Sequence, residues 1–114
     1  MGSIERCGII VDGVFYEVDN ISNNPYEFIM NPEEFYSIIR NGKELQAIVH
    51  THVKNCTPSG FDVENMKIWK VYWIIISSNC IKAYKYSSSL GVIEVDINSL
   101  PFEVSDNFFV KLLK

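Results

Sequence analysis

The chain has 114 residues, enough to bury one hydrophobic core and therefore to form a single domain. Hydrophobic residues make up 47% and charged residues 21%, which excludes a disordered chain. The net charge of −4 and the scattered lysines argue against nucleic-acid binding, and the longest apolar run, 71–76, is too short to span a membrane. No basic region followed by an apolar one opens the sequence, so we expect no secretory signal.

The first half of the chain predicts a hairpin followed by a helix. Residues 7–11 form an apolar run, Asp12-Gly13 is typical of a tight turn, and residues 14–18 predict a second, antiparallel strand. Asn31 precedes a proline and two glutamates, which is typical of a capped helix start, and Asn41-Gly42 predicts the end of that helix.

The second half predicts several strands and one short helix. Residues 45–50 indicate a third strand, 62–69 a short helix, and 72–76 a strongly apolar strand that we expect at the centre of the sheet. The remaining segments are strands at 80–86 and 91–97, and a strand or helix at 107–113. The whole pattern predicts an α/β (α+β) fold in one domain, with a mixed central sheet flanked by short helices.

The two histidines of the chain, His50 and His52, lie at the end of the predicted third strand. Side chains alternate along a strand, so both imidazoles are expected on one face, as in a pair of metal ligands. Asp62 follows at the start of the predicted short helix and supplies a third ligand, a carboxylate. Two histidines and one carboxylate leave the fourth tetrahedral position to water, which is typical of catalytic zinc.

Each part of this pattern also has an ordinary structural interpretation. A His-X-His pair is often polar surface, and Ser59 with Asp62 forms a capping box at the start of a helix. Glu5, taken alone, is a solvated charge near the N-terminus. The order of all these residues along the chain is what favours a metal site.

The order Glu5, His50-Thr51-His52, Ser59-X-X-Asp62 resembles the JAMM signature of the JAB/MPN zinc metallopeptidases. The flanking residues resemble the prokaryotic and phage branch of that family, including phage tail-assembly proteins of the lambda tail protein K type. The matching segments are 5–8, 20–25, 31–35, 48–52, 57–59 with Asp62, 73–77 and 94–97. The resemblance implies one JAB/MPN-like domain over residues 1–114. Only four residues precede Glu5, so we expect the helix that usually comes before this glutamate to be missing.

The resemblance implies a zinc-dependent hydrolase of peptide or isopeptide bonds. His50, His52 and Asp62 would hold Zn²⁺, Glu5 would act as general base and then general acid, and Ser59 would donate a hydrogen bond to the developing oxyanion. The implied partner is a protein or peptide substrate, which is a phage tail protein, a cell-wall peptide or a ubiquitin-like conjugate. No nucleic-acid or membrane partner is expected, and the oligomeric state stays open.

Two other functions are consistent with the sequence. The first is a catalytically weak MPN-like domain that serves as an assembly or interaction module. The second is a structural protein without a metal. Metal content separates these alternatives, because only the structural protein lacks stoichiometric zinc.

The cysteines, Cys7, Cys56 and Cys80, are odd in number and widely spaced. This pattern does not indicate a disulfide framework, so we expect a reducing compartment, the cytoplasm (the host cytoplasm or the virion if the protein is phage-encoded). Cys56, in the predicted metal loop, is a soft ligand, a redox-sensitive thiol or a loop cysteine without a partner. Cys7 and Cys80 are expected as small buried residues in strands. Trp69 and Trp73 are expected in the core, although one of them could line a substrate groove.

Overall fold

The computed structural model describes residues 5–25 and 27–103, in which a six-stranded sheet carries two helices. The strands are β1 (Cys7–Val11), β2 (Val14–Val18), β3 (Leu45–Thr51), β4 (Tyr72–Ser77), β5 (Cys80–Ser87) and β6 (Gly91–Val95). The helices are α1 (Pro32–Ile39) and α2 (Gly60–Ile68), and a short 3₁₀ turn at Ile97–Ser99 follows β6. Neither helix of the described residues is long and apolar enough to cross a membrane.

The strands lie in the order β2-β1-β3-β4-β5-β6. Every neighbouring pair is antiparallel except β3 and β4, which run parallel because α2 crosses over between them. This arrangement confirms the predicted mixed sheet with short helices in an α+β domain. It also places β4 inside the sheet, as its apolar sequence predicted.

Local sequence signals account for the first turn and the first helix. Asp12 and Gly13 both have positive φ, as the predicted two-residue hairpin turn requires, and Val11 pairs with Val14 across it. The side chain of Asn31 accepts hydrogen bonds from the backbone N–H groups of the two glutamates that follow Pro32, which confirms the predicted helix start.

The start of α2 and the end of β6 each differ from the prediction by two residues, and β3, β4 and β5 each end one residue later than predicted. Helix α2 spans Gly60–Ile68 instead of 62–69, because Ser59 caps it and the first helical residue is therefore Gly60. Strand β6 stops at Val95 instead of residue 97, because the Asp96 side chain accepts a hydrogen bond from the Asn98 backbone and starts the 3₁₀ turn. The predicted element at 107–113 and the four residues before Glu5 lie outside the described residues.

The two faces of the sheet carry two hydrophobic clusters, and both helices contribute to the first. Phe35 of α1 and Met66 of α2 pack with Trp73 of β4 on the face that also carries the first histidine. Trp73 is 1% exposed, which confirms its predicted place in the core. The same prediction is wrong for Trp69, which is 37% exposed because α2 ends at Ile68 and its buried stripe does not continue.

Gly8 occupies a position in β1 where no side chain fits. A Cβ there would lie 2.5 Å from the Tyr16 carbonyl oxygen and 2.6 Å from the Phe15 ring. We therefore expect Gly8→Ala to lower the free energy of unfolding by about 1–3 kcal/mol. Gly60→Ala is the matched control, since its Cβ meets nothing within 4 Å. Urea unfolding followed by circular dichroism measures both, and equal stability of the two variants would contradict this packing.

Candidate metal centre

The pairing of β1 with β3 brings Glu5 to the histidines. Cys7 pairs with His50 in an antiparallel register, so the residue two positions before Cys7 lies opposite the residue two positions after His50. The pairing continues past the strand ends, where the Thr51 N–H donates to the Arg6 carbonyl at 2.9 Å. Glu5 consequently lies on the same face as both imidazoles, although 45 residues separate it from His50 in the chain.

His50 and His52 point to one face of the sheet, as their spacing predicted. Their Nε2 atoms lie 3.1 Å apart. His50 is fully buried between the ring of Phe28, stacked at 4.5 Å, and that of Trp73 at 5.9 Å. His52, just past the end of β3, is held by a hydrogen bond from its backbone N–H to the Ile76 carbonyl on β4.

Asp62 reaches both histidines from the first turn of α2. Its Oδ1 lies 3.0 Å from Nε2 of His50, and its Oδ2 lies 3.0 Å from Nε2 of His52. The same Oδ2 accepts a hydrogen bond from the Ser59 N–H at 2.9 Å, while the Asp62 N–H donates to the Ser59 hydroxyl at 3.1 Å. The capping box and the predicted ligand set therefore share Asp62, because the hydrogen bonds of the cap hold its carboxylate next to the histidines.

The distances among the candidate ligand atoms are close to the edge lengths of a zinc coordination shell. Ligand atoms about 2.0–2.2 Å from zinc lie about 3.3 Å apart in a regular tetrahedron. The two Nε2 atoms lie 3.1 Å apart, and each lies 3.0 Å from a different oxygen of Asp62, so the side chains must adjust to place one of these oxygens on a metal ion together with both nitrogens. Two imidazole nitrogens and one carboxylate oxygen are also a donor set that zinc accepts in catalytic sites.

The protonation states of Asp62 and His50 suit a cation. Burial by itself would raise the pKa of Asp62, but hydrogen bonds with His50 and His52 outweigh it and hold that pKa well below its usual range. Complete burial lowers the pKa of His50. Burial also disfavours a charged His52, but the hydrogen bond to Asp62 and its negative charge outweigh that and raise the pKa of His52. Asp62 is therefore anionic and His50 neutral, as metal ligands must be.

Glu5 carries a buried carboxylate that is held close to the histidines. Its ligand oxygen and the ring nitrogens of His50 and His52 all lie within 4.8 Å of one another. The residue is 8% exposed, and its Oε1 has no hydrogen-bond partner within the described part of the chain. Burial raises the pKa of Glu5 to about 7, and attraction to His52 offsets only part of that rise. A buried carboxylate with one unpaired oxygen and this pKa can both take up and release a proton near neutral pH.

Two residues that support the site were not identified as site residues from the sequence. The Asn20 side-chain amide donates to the Glu5 carbonyl at 2.6 Å and so fixes the backbone of the glutamate. Phe28 stacks on His50 from the segment between β2 and α1. Asn20 lies in a segment that resembles the family, which was a usable signal, whereas no sequence pattern marked Phe28.

The cysteine predictions are wrong for two of the three residues. Cys56 and Cys80 form a disulfide, with their Cα atoms 6.1 Å apart. The sulfur of Cys56 is therefore not available as a soft metal ligand, and the cysteines no longer support a reducing compartment. Only Cys7 is free, and it is buried in β1 as predicted, where burial raises the pKa of its thiol to about 12. Sequence spacing missed the pair because 24 residues separate two cysteines that the fold brings together.

Comparison with known proteins identifies the family. No family model matches the chain. The chain is 36% identical over 108 residues to the protein named desampylase from Pyrococcus furiosus, an alignment that covers 83% of this chain and 76% of that protein. The chain belongs to the JAMM/MPN family. This membership makes it a JAMM-type hydrolase by homology, as the signature residues predicted.

A structural neighbour agrees with the JAMM/MPN chain at the level of the fold. The solution structure of a protein from Salinibacter ruber superposes with a TM-score of 0.54 and 14% sequence identity, covering 88% of this chain and 82% of that one. At this identity the neighbour supports the fold alone. Neither relative is described as a phage protein, so the assignment to the phage branch stays a prediction.

Proposed function

We propose that this protein is a zinc-dependent hydrolase that cleaves isopeptide or peptide bonds. The observation that carries the proposal is the cluster of His50, His52 and Asp62, in which each imidazole Nε2 lies 3.0 Å from a carboxylate oxygen, close to the Glu5 carboxylate with its unpaired Oε1. Zinc held there would supply Lewis-acid catalysis, lowering the pKa of a water molecule and polarising the scissile carbonyl.

Glu5 and Ser59 carry the remaining steps of the proposed reaction. Glu5 removes a proton from the attacking water and delivers it to the departing amine, for which a pKa of about 7 is well matched. The Ser59 hydroxyl accepts a hydrogen bond from the Asp62 N–H, and its own hydrogen is not used in that contact. It is therefore available to donate to the oxyanion that forms on the scissile carbonyl.

An apolar groove beside the centre supports a polypeptide substrate. The groove has a volume of about 320 Å³ and lies between the segment 28–36 and helix α2. Phe28 connects the groove to the metal centre, because it lines the groove and also stacks on His50. Trp69 packs edge-to-face against Phe35 on the groove wall and remains partly exposed. A side chain of the substrate in this groove would hold the scissile bond next to the histidines.

Replacing Trp69 tests whether the groove binds substrate. We expect Trp69→Ala to raise KM about tenfold with little change in kcat, because the lost contacts are made equally before and during the reaction. Ile68→Ala is the matched control, since Ile68 is 73% exposed and does not line the groove. Steady-state kinetics with a conjugate substrate measure both variants. An unchanged KM in Trp69→Ala would contradict the assignment of the groove.

The relative favours one class of substrate among those that the sequence allowed. The protein named desampylase acts on protein conjugates, which supports a ubiquitin-like conjugate over a tail protein or a cell-wall peptide. The association with phage tail assembly rests on the flanking sequence resemblance, as does the location in a host cytoplasm or virion. Both are parts of the proposal.

Metal analysis and a cleavage assay test the proposed function together. Purified wild-type protein is expected to hold one zinc ion by elemental analysis and to cleave a ubiquitin-like protein joined to the ε-amine of a lysine peptide. Removal of zinc by a chelator should abolish cleavage, and added zinc should restore it. Zinc without cleavage of conjugate, linear fusion or cell-wall peptide would support the assembly module instead. Absence of zinc would contradict a metallohydrolase.

A further inference from the structure

The loop that joins the two parts of the proposed metal centre is attached to the rest of the protein at one residue. Residues 53–58 connect His52 to Ser59. Within this loop only Cys56 is buried, at 2% exposure, and its neighbours on both sides are exposed. The loop therefore has a single anchoring residue in the core.

Two contacts from β5 hold that residue. The disulfide joins Cys56 to Cys80 at the start of the strand. Four residues further along β5, the buried Tyr84 hydroxyl donates a hydrogen bond of 2.6 Å to the Cys56 carbonyl oxygen. One contact fixes the side chain of Cys56 and the other fixes its backbone, so the two together set both the position and the orientation of the loop.

The anchored residue lies between two of the predicted metal ligands. On one side, three exposed loop residues join Cys56 to His52. On the other side, Ser59 begins α2 and holds the Asp62 carboxylate through the capping box. A shift of Cys56 would therefore change the orientation of His52 and the position of Asp62 at the same time.

We propose that the Cys56–Cys80 disulfide and the Tyr84 hydroxyl form a clamp that holds His52 and Asp62 at metal-binding distance, so that reduction of the disulfide weakens metal binding. The inference rests on the proposed function, because it concerns the loading of the same centre. It adds redox control of that loading, in which the oxidised protein binds the metal tightly and the reduced protein binds it weakly.

The reaction that opens the clamp is exchange with a dithiol reductant. Cys80 is only partly buried whereas Cys56 is buried, so the reductant thiolate attacks the Cys80 sulfur. The new sulfur–sulfur bond forms to Cys80, and Cys56 leaves as a thiolate that takes up a proton. The second thiol of the reductant then displaces Cys80, which leaves two protein thiols and one oxidised, cyclic reductant.

The affinity for zinc is the measurement that tests the clamp. An apparent Kd rises in inverse proportion to the fraction of molecules whose ligands are in place, so a fall of that fraction to about one-tenth raises the Kd tenfold. We expect a rise of about this size in metal-free wild-type protein that has been reduced by a phosphine and freed of it before titration. A chromophoric chelator in competition reports the Kd, at a temperature where circular dichroism shows both forms folded.

The Cys56→Ala/Cys80→Ala double variant is the matched control. It should bind zinc as weakly as reduced wild type, and the phosphine should change nothing further, since Cys7 is then the only cysteine. Thiol titration in denaturant verifies the starting states, with one free thiol expected in oxidised wild type and three after reduction. A response of the double variant to the phosphine would overturn the assignment to this disulfide.

Tyr84→Phe gives a second arm in which the disulfide stays intact. The variant removes only the hydroxyl that donates to Cys56, and we expect a smaller increase of the zinc Kd in the oxidised protein. In the Cys56→Ala/Cys80→Ala background, Tyr84→Phe should raise the zinc Kd by a smaller factor than it does in the wild-type background, because both contacts hold the same residue. If the effects of the two changes on zinc binding were fully additive, the disulfide and the hydroxyl would act independently, which would overturn the proposal that they form one clamp.

The outcomes separate the clamp from the proposed function. Tight zinc binding in oxidised wild type with weak binding after reduction supports both. Equal zinc affinity in the two redox states, with only a lower thermal stability after reduction, overturns the clamp and leaves the hydrolase proposal in place. Failure of the oxidised wild type to bind zinc overturns both, because the metal centre itself is then absent.

Discussion

Replacing Glu5 with glutamine is expected to lower kcat by about 10²–10⁴-fold while zinc stays bound with nearly unchanged affinity. The amide keeps the size of the side chain but cannot take up a proton. Glu5 lies near His50 and His52, and its loss leaves the three ligand atoms in place. Cleavage of the conjugate substrate and the zinc Kd, measured on the same preparation, check the two parts of this expectation.

Glu64→Gln is the control for the glutamate substitution. Glu64 lies on α2, where its side chain is 69% exposed and pairs with Lys67, so this amide should leave both kcat and zinc affinity at the wild-type level. Turnover of Glu5→Gln at the wild-type rate would show that the proton is moved by another group. A loss of zinc in Glu5→Gln would instead make Glu5 a ligand.

Replacing His52 with alanine is expected to remove both zinc and activity. The substitution takes away one of three protein ligands, and we expect the zinc Kd to rise by more than 100-fold, which is about the upper limit for loss of an outer-shell partner. The fold should persist, because the His52 side chain is 12% exposed at the edge of the site and leaves no closed cavity. Elemental analysis and chelator competition give the metal content and affinity.

Lys54→Ala is the control for the histidine substitution, since it changes an exposed residue of the same loop that faces away from the core. It should retain stoichiometric zinc. Circular dichroism must show that His52→Ala is folded before its zinc content is interpreted. Wild-type zinc affinity in a folded His52→Ala protein would contradict the proposed ligand set, and with it the reaction proposed for Glu5.

The two substitutions divide the centre into two chemical roles. Of the two, only Glu5→Gln is expected to lose turnover with zinc retained, and only His52→Ala is expected to lose zinc. The clamp at Cys56 predicts a third behaviour, a graded loss of zinc affinity with all ligands still present. Measuring zinc affinity in all these variants therefore separates proton transfer, ligation and support of the loop.

Most of the local structure follows from neighbouring residues in the chain. The turn at Asp12-Gly13, the cap at Asn31 and the capping box at Ser59 depend on contacts within four residues. The common face of His50 and His52 follows from alternation along a strand. These signals are reliable because the atoms that make each contact are held together by the covalent chain in any conformation.

Other features depend on which distant segments pack together. The sequence could predict that Cys56 was in a loop, but the partner at Cys80 comes from a strand that the fold places beside it. Trp69 was expected in the core because its spacing continues a buried stripe, yet the helix stops one residue earlier and leaves it on a groove wall. No pattern in the spacing of residues predicted the contact of Phe28 with His50.

The sequence by itself determined a single α+β domain, its hairpin and helix caps, and a pair of histidines on one face with a capping-box carboxylate following them. Only the tertiary structure decided that Glu5 faces His52, because that arrangement requires β1 to insert between β2 and β3 in one register. A shift of one residue in that register would turn the glutamate to the opposite face of the sheet. The site is therefore assembled by strand pairing over long sequence separations, and the identities of its residues alone do not encode that pairing.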